Sequence, residues 1–140
     1  LLKNGADAKI KNNYGISPLS LAASYNSNSE ITKELLNLYS VSESEVRNTF
    51  INAVIQEAPA EILKLFLKKG LNINSSYNGK TPLMYAAETN KSTSTIKFLL
   101  DNGAKTGYRT ENGMSAFDFA RNNRRIPKDN YYWALNTGSN

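Results

Sequence analysis

A short sequence pattern recurs along this chain at nearly constant spacing. NGKTPLMYAA at residues 78–87 returns in altered form as YGISPLSLAA at 14–23 and as NGMSAFDFAR at 112–121. A weaker copy, TFINAVI, lies at 49–55, so that successive copies are 32 to 34 positions apart. Such a period is typical of proteins built from stacked units, none of which can bury its apolar face alone. The spacing therefore predicts a repeat architecture.

A second marker keeps the same register. An apolar, helix-like stretch ends in glycine three times, as LLKNG at Gly5, LFLKKG at Gly70 and FLLDNG at Gly103, and the last two are 33 positions apart. Glycine just past a helix is typical of a left-handed C-cap. Because two independent markers share one period, we interpret the repeat as structural.

Each unit has the local signals of a helical hairpin. Ser17 and Thr81 are suited to N-cap helices whose first residues are Pro18 and Pro82, where the missing N–H is no loss. Paired alanines follow and allow a neighbouring helix to approach closely. A polar gap, in which Ser27 and Glu30 have capping-box spacing, then precedes a second apolar stripe. About ten polar residues with an Asn-Gly turn link one unit to the next.

Composition removes several kinds of chemistry. The 140 residues include neither histidine nor cysteine, which excludes Ser/His/Asp triads, Cys/His dyads and the usual zinc sites. No phosphate-binding glycine loop and no membrane-spanning apolar run occurs. The acidic pairs Glu43 with Glu45 and Glu57 with Glu61 are interpreted as solvated helix faces, since they lie in helix-like stretches. We therefore predict no enzyme and no cofactor or metal, and the compartment stays open.

With these motifs, the chain resembles the ankyrin repeat family over about residues 1–121. The resemblance implies an all-α solenoid of stacked helix-turn-helix repeats with short β-hairpin-like loops, one degenerate internal repeat and a C-terminal capping segment. Repeats are expected over residues 1–126, as a partial repeat at 1–16 and repeats starting near 17, 47, 81 and 115. Residues 127–140 would form the cap or tail.

The departures from the family pattern lead to separate expectations. The family's histidine in TPLHxA is replaced by Ser20, Asn52, Met84 and Asp118; by resemblance that histidine is structural, so its loss costs hydrogen bonds and not activity. The unit at 38–57 lacks the link glycine and the Thr-Pro pair. Ser42 and Glu45 are instead spaced to cap a longer first helix, and Pro59 would open the second helix.

The resemblance also implies a function: a scaffold that binds an unidentified partner protein through the concave face and loop tips of the array. A monomer is expected, with end-to-end stacking through the N-terminal half repeat as an alternative. Mapped residue by residue, the contact positions would be Asn13, Tyr14, Ile16, Ser24, Tyr25, Gln56, Glu57, Tyr77, Asn78, Lys80, Glu88, Thr89, Arg109, Glu111, Met114 and Arg121. Tyrosine and arginine at such positions are residue types that carry binding energy.

Two other functions stay open. The segment RNNRRIPKDNYYWALN places basic residues before aromatic ones, a combination that can hold phosphates and stack bases. The basic residues are Arg121, Arg124, Arg125 and Lys128. The stronger interpretation is a terminal cap, in which Trp133 and one tyrosine cover the last apolar stripe. The second alternative is that the chain is the recruiting part of a larger enzyme or effector.

Overall fold

The computed structural model describes residues 11–25, 28–38 and 41–138. The predicted second helix of the partial repeat, the glycine marker at Gly5 and the capping role of Ser27 lie outside these residues. The described part begins in the link loop that precedes the first full helix pair.

Helices dominate the described residues. They are α1 (Pro18–Tyr25), α2 (Ser29–Leu38), α3 (Glu43–Ile55), α4 (Ala60–Lys68), α5 (Pro82–Thr89), α6 (Ser94–Asp101), α7 (Ala116–Asn122) and α8 (Asn130–Ala134), followed by a 3₁₀ helix (Leu135–Gly138). The sole β pairing within these ranges is an isolated bridge between Tyr77 and Lys80. The predicted all-α class is confirmed.

The helices form two layers. The first helices of successive pairs, α1, α3, α5 and α7, contact one another in chain order, while α2 packs on α4 and α6 on α8. The helices of the first-helix layer pack more closely on one another than those of the second layer. The reason is that small buried residues such as Ala53, Ala86 and Ala120 face the adjacent helices. A stack whose two layers differ in spacing curves toward the tighter one, so the first helices lie on the inner side.

A continuous apolar core runs between the layers. It includes fully buried residues from every pair, among them Leu19, Phe50, Leu83 and Leu99. The rings of Phe50 and Phe66 lie 5.8 Å apart and join α3 to α4. Each helix pair buries apolar surface against the pair before it and the pair after it. Loss of one such interface therefore exposes apolar surface on two units.

The predicted helix starts are confirmed where the sequence carried a cap. The Ser17 hydroxyl accepts the Ser20 N–H at 3.2 Å, and Thr81 accepts the Met84 N–H at 3.4 Å. Ser42 caps the longer helix α3 by accepting the Glu45 N–H at 3.2 Å. That cap explains why α3 begins at Glu43, ahead of the repeat start expected near Arg47.

The link loops end in tight turns, as predicted from the Asn-Gly pairs. Tyr77 and Lys80 exchange two backbone hydrogen bonds of 2.9 and 3.1 Å, and Asn78 and Gly79 between them have φ values of 50° and 77°. Asparagine and glycine are the residues that adopt this left-handed region most readily.

The C-terminal segment completes a fourth helix pair. Helix α8 contacts α6 and α7, the position of a second helix. Tyr132 is buried and its ring meets Phe117 at 5.5 Å, whereas Trp133 is 52% exposed. The phase of the short helix turns Tyr132 inward, while the half-exposed Trp133 packs on Phe117 with ring centres 5.9 Å apart.

Candidate protein-binding surface

The inner side of the third and fourth units brings several predicted contact residues together. Asn78, Lys80, Glu111 and Met114 line one groove of about 450 Å³ between neighbouring loop tips, and Phe119 of α7 forms part of its wall. We call this the loop-tip groove. Phe119 was not among the predicted residues, because its place in the groove depends on how α7 is set against the preceding loop.

Lys80 is held in place by three neighbours. Its Nζ lies 2.7 Å from a carboxylate oxygen of Glu88. The same ammonium sits 4.8 Å from the ring centre of Phe119 and 5.5 Å from that of Tyr85. A cation over aromatic faces is stabilised by the ring electrons, so the lysine head has one favoured position. Both Lys80 and Glu88 were predicted contact residues, and the structure pairs them.

Tyr77 is fixed from two sides. Its carbonyl accepts the Tyr85 hydroxyl at 2.9 Å, and the guanidinium of Arg47 lies 5.8 Å from its ring centre. Burial raises the pKa of Tyr85, against the lowering effect of Lys80, so its hydroxyl stays protonated as a donor at neutral pH. The loop bearing Tyr77 is therefore tied to α5 before any partner binds.

The last unit is ordered by Asp118. Its carboxylate accepts the backbone N–H and the hydroxyl of Ser115, both at 2.8 Å, and these hydrogen bonds lower the pKa of Asp118. Arg121 lies 3.8 Å from the same carboxylate. Arg109 is exposed and donates to the carbonyls of Thr106 and Tyr108. Arg109 and Arg121 are thus exposed in the same unit, but neither lines the loop-tip groove.

The predicted residues of the first unit lie apart from this groove. Tyr14 is 88% exposed and Tyr25 is 70% exposed, at the two ends of the segment that contains α1. The turn that carries Tyr14 is held by the Asn12 side chain, which accepts the N–H groups of Tyr14 and Ile16. Tyr14 therefore does not brace its own turn, and its ring is available for contact.

Glu57 has a structural place that the sequence did not reveal. Its carboxylate accepts the N–H groups of Lys91 and Ser92 and the Ser92 hydroxyl, at 2.8 to 3.2 Å. These bonds tie the turn after α3 to the turn after α5. Gln56 beside it is exposed. Of these two predicted residues, Glu57 is engaged within the protein.

Two asparagines make comparable ties and were also missed. Asn90 is fully buried and donates to the Val54 carbonyl at 2.9 Å. Asn123 donates to the carbonyls of Ala87 and Asn90. Their spacing of 33 residues matches the repeat period, which is the signal that could have identified them. Such ties hold neighbouring units, and hence the loop-tip groove, in a fixed relation.

The predicted basic cluster is only partly assembled. Arg125 donates to the Thr89 carbonyl at 2.8 Å, and Arg121 lies beside Asp118. Arg124 and Lys128 are exposed. Among the nearby aromatic residues Tyr132 is buried and offers no ring face for a base to stack on, whereas Trp133 is half exposed.

Neither a metal-binding cluster nor a membrane-spanning helix accompanies this surface in the described part of the chain. Across residues 11–25, 28–38 and 41–138, no group of three or more acidic residues is placed to hold a metal ion. No helix in those same ranges combines the length and the apolar character needed to cross a bilayer.

Comparison with known proteins identifies the pattern of the central and C-terminal units. A family model described as ankyrin repeats, in three copies, matches residues 50–126. A search of curated proteins found no match to this chain. The matched region contains the loop-tip groove and both asparagine ties.

Proposed function

This chain belongs to the ankyrin repeat family, and we propose that it binds a partner protein through its concave side, with the loop-tip groove at the centre of the contact. Ankyrin repeats are in general protein-protein interaction modules, and proteins built from them are typically non-enzymatic scaffolds. Tyr77, Asn78, Lys80 and Glu111 would supply contacts at the groove.

The observation that carries this proposal is the preorganisation of the groove. Lys80 is fixed by Glu88 and Phe119, and the neighbouring turn is closed by the Tyr77–Lys80 bridge. Association costs about 0.5–1.5 kcal/mol for each flexible side chain that it immobilises. Because these groups are ordered in the free protein, a partner would meet a formed surface with both apolar and charged contacts.

The predicted nucleic-acid alternative has weaker support. One guanidinium nitrogen of Arg125 donates a hydrogen bond to the Thr89 carbonyl, and Tyr132 is buried against Phe117. A single-strand binding site needs a basic track beside exposed aromatic faces. Trp133 is half exposed, but Arg125 and Tyr132 are engaged in contacts within the protein.

The proposal is tested by charge reversal at the groove. In the double variant Glu111→Arg with Arg121→Glu, both side chains are exposed and the net charge is unchanged, so non-specific attraction is held constant. We expect a protein that the wild-type chain captures from a native cell extract to be lost from this variant. Misplaced like charges at an interface cost several kcal/mol.

A matched control reverses charges outside the groove. Glu34→Lys with Lys91→Glu also preserves the net charge, and both residues are exposed. Capture should survive in the control, and both variants should stay folded, the groove variant melting slightly lower because Arg121→Glu removes the pair with Asp118. Retention of the partner by the groove variant would refute the placement of the surface.

A further inference from the structure

The second-helix layer contains a separate groove between α2 and α4. It has a volume of about 480 Å³ and lies on the opposite side of the helix pairs from the loop tips. Four lysines line it together with two glutamates, two leucines, Ser29 and Asn37: Lys33, Lys64, Lys68, Lys69, Glu30, Glu61, Leu36 and Leu65. We call it the lysine groove.

The lysines of this groove have no internal partner among the described residues. Elsewhere in the described ranges Lys80 and Lys97 form ion pairs of 2.7 and 2.6 Å. By contrast, none of the lysine-groove ammonium groups forms an ion pair or hydrogen bond with another described residue. Lys68 and Lys69 are stabilised by their position at the C-terminal end of α4, where the helix dipole favours positive charge. Lys33, in the middle of α2, has no such stabilisation.

The charge along the groove is uneven. Glu30 and Glu61 occupy the first turns of their helices, while Lys68 ends α4 and Lys69 follows it. Between these ends the lining includes Leu36, which is almost fully buried, and the partly exposed Leu65, so Leu65 supplies the accessible apolar surface. Glu61 and Lys68 are about 10 Å apart along the helix axis at 1.5 Å per residue. An extended peptide would cover that distance with about three or four residues.

From this arrangement we infer that the lysine groove is a second binding surface, which takes a short acidic peptide segment of a partner protein. An apolar side chain of the segment lies against Leu65, and the carboxylates that follow it reach Lys64 and Lys68. A nucleic acid fits less well, since the lining has no aromatic side chain for stacking and two glutamates would repel phosphates.

The test is a titration with defined peptides. The probe is a fluorescein-labelled peptide of one leucine followed by a run of glutamates, and the reference replaces every glutamate by glutamine. We expect the 140-residue chain to bind the glutamate peptide, by fluorescence anisotropy, and not the glutamine peptide. Replacement of the leucine by serine should weaken binding, and an unchanged affinity would overturn the apolar anchor.

Variants then locate the site. Lys64→Gln with Lys68→Gln should weaken binding about tenfold, equivalent to about 1.4 kcal/mol. The control Lys91→Gln with Lys105→Gln makes the same change in net charge at exposed lysines outside the groove, and should bind like wild type. Thermal melts of both variants check that the fold is intact.

Two outcomes would overturn the inference. Equal weakening by both lysine pairs would show attraction to net charge alone, and stronger binding of a single-stranded oligonucleotide than of the peptide would assign the groove to nucleic acid. The loop-tip variant with Glu111→Arg and Arg121→Glu should bind the peptide normally. A failure at one surface is thereby distinguished from a failure at the other.

Discussion

Asp118 occupies the place where the family pattern has histidine. The sequence led us to expect that hydrogen bonds are lost at this place, but Asp118 makes hydrogen bonds there. Its carboxylate accepts from both the amide and the hydroxyl of Ser115, while the Ser115 hydroxyl also accepts the Asp118 N–H. In α5 the corresponding Met84 offers only a thioether, 3.5 Å from the Thr81 N–H. The carboxylate is the stronger acceptor because it is ionised. The fourth unit therefore has a better-tied first helix than the third.

The role of Asp118 leads to a pH-dependent prediction. Asp118→Asn should lower the free energy of unfolding at neutral pH by about 1 kcal/mol through the weakened cap. The Ser115 hydrogen bonds lower the folded-state pKa of Asp118 below the ordinary 3.8. Its contribution is therefore complete above that ordinary value and is lost as the pH falls through the folded-state value. Urea melts from pH 7 down to about pH 2 should show the gap between wild type and variant narrowing in acid.

Glu111→Gln is the control for that experiment, since Glu111 is exposed on the neighbouring turn. It should differ little from wild type at either end of the pH range. A gap for Asp118→Asn that is the same at pH 7 and pH 2 would show that the charge of the carboxylate contributes nothing to the cap.

At the scale of elements, the turn between α3 and α4 ties the degenerate unit to the next one. Glu57 adopts a backbone φ of 56°, which is unfavourable for residues other than glycine. Its three hydrogen bonds to Lys91 and Ser92 offset that cost. The unit without a link glycine or a Thr-Pro pair is thus joined to the next one through a carboxylate.

Two substitutions separate these effects. Glu57→Ala should destabilise the protein by about 1–3 kcal/mol, because it removes the charged acceptor and keeps the unfavourable φ. Glu57→Gly should recover about 1 kcal/mol of that loss, since glycine adopts positive φ freely. Chemical denaturation measures both values. Gln56→Ala, at the exposed neighbouring position, is the control and should change little. A glycine variant less stable than the alanine variant would contradict this account.

At this scale the sequence predicts structure where the signal is local. Thr81 and Ser42 lie directly before the helices that they cap, so residue type and spacing were enough to predict both starts. The position of Lys80 over Phe119 depends on contacts between residues 39 positions apart in neighbouring units. Likewise, the inward side of α8 depends on helix phase, which five residues do not define by pattern. The order of the repeat units along the chain could be predicted from the sequence. The side-chain contacts between neighbouring units could not.

At the scale of the whole molecule, stability should vary along the array. Each helix pair contacts its neighbours in sequence, so an interior pair is supported from two sides and the last described pair from one. The last pair has its own buried apolar residues, which are Ile126, Tyr132 and Leu135. The terminal cap predicted from the sequence would therefore act as a separate stability unit, which local substitution can open without loss of the centre.

Tyr132→Ala tests this directly. The buried ring contacts Phe117, and its removal should cost about 3–5 kcal/mol, as for other large aromatic residues. Because the fourth pair is terminal, the cost should appear as fast hydrogen exchange in α7 and α8, while amides in α3 and α5 keep their protection. Trp133→Ala is the matched control: its side chain is half exposed, so the loss should be smaller. If Tyr132→Ala instead accelerated exchange equally from α1 to α8, the array would unfold as one cooperative unit, and the C-terminal helices would be part of its core and not a cap.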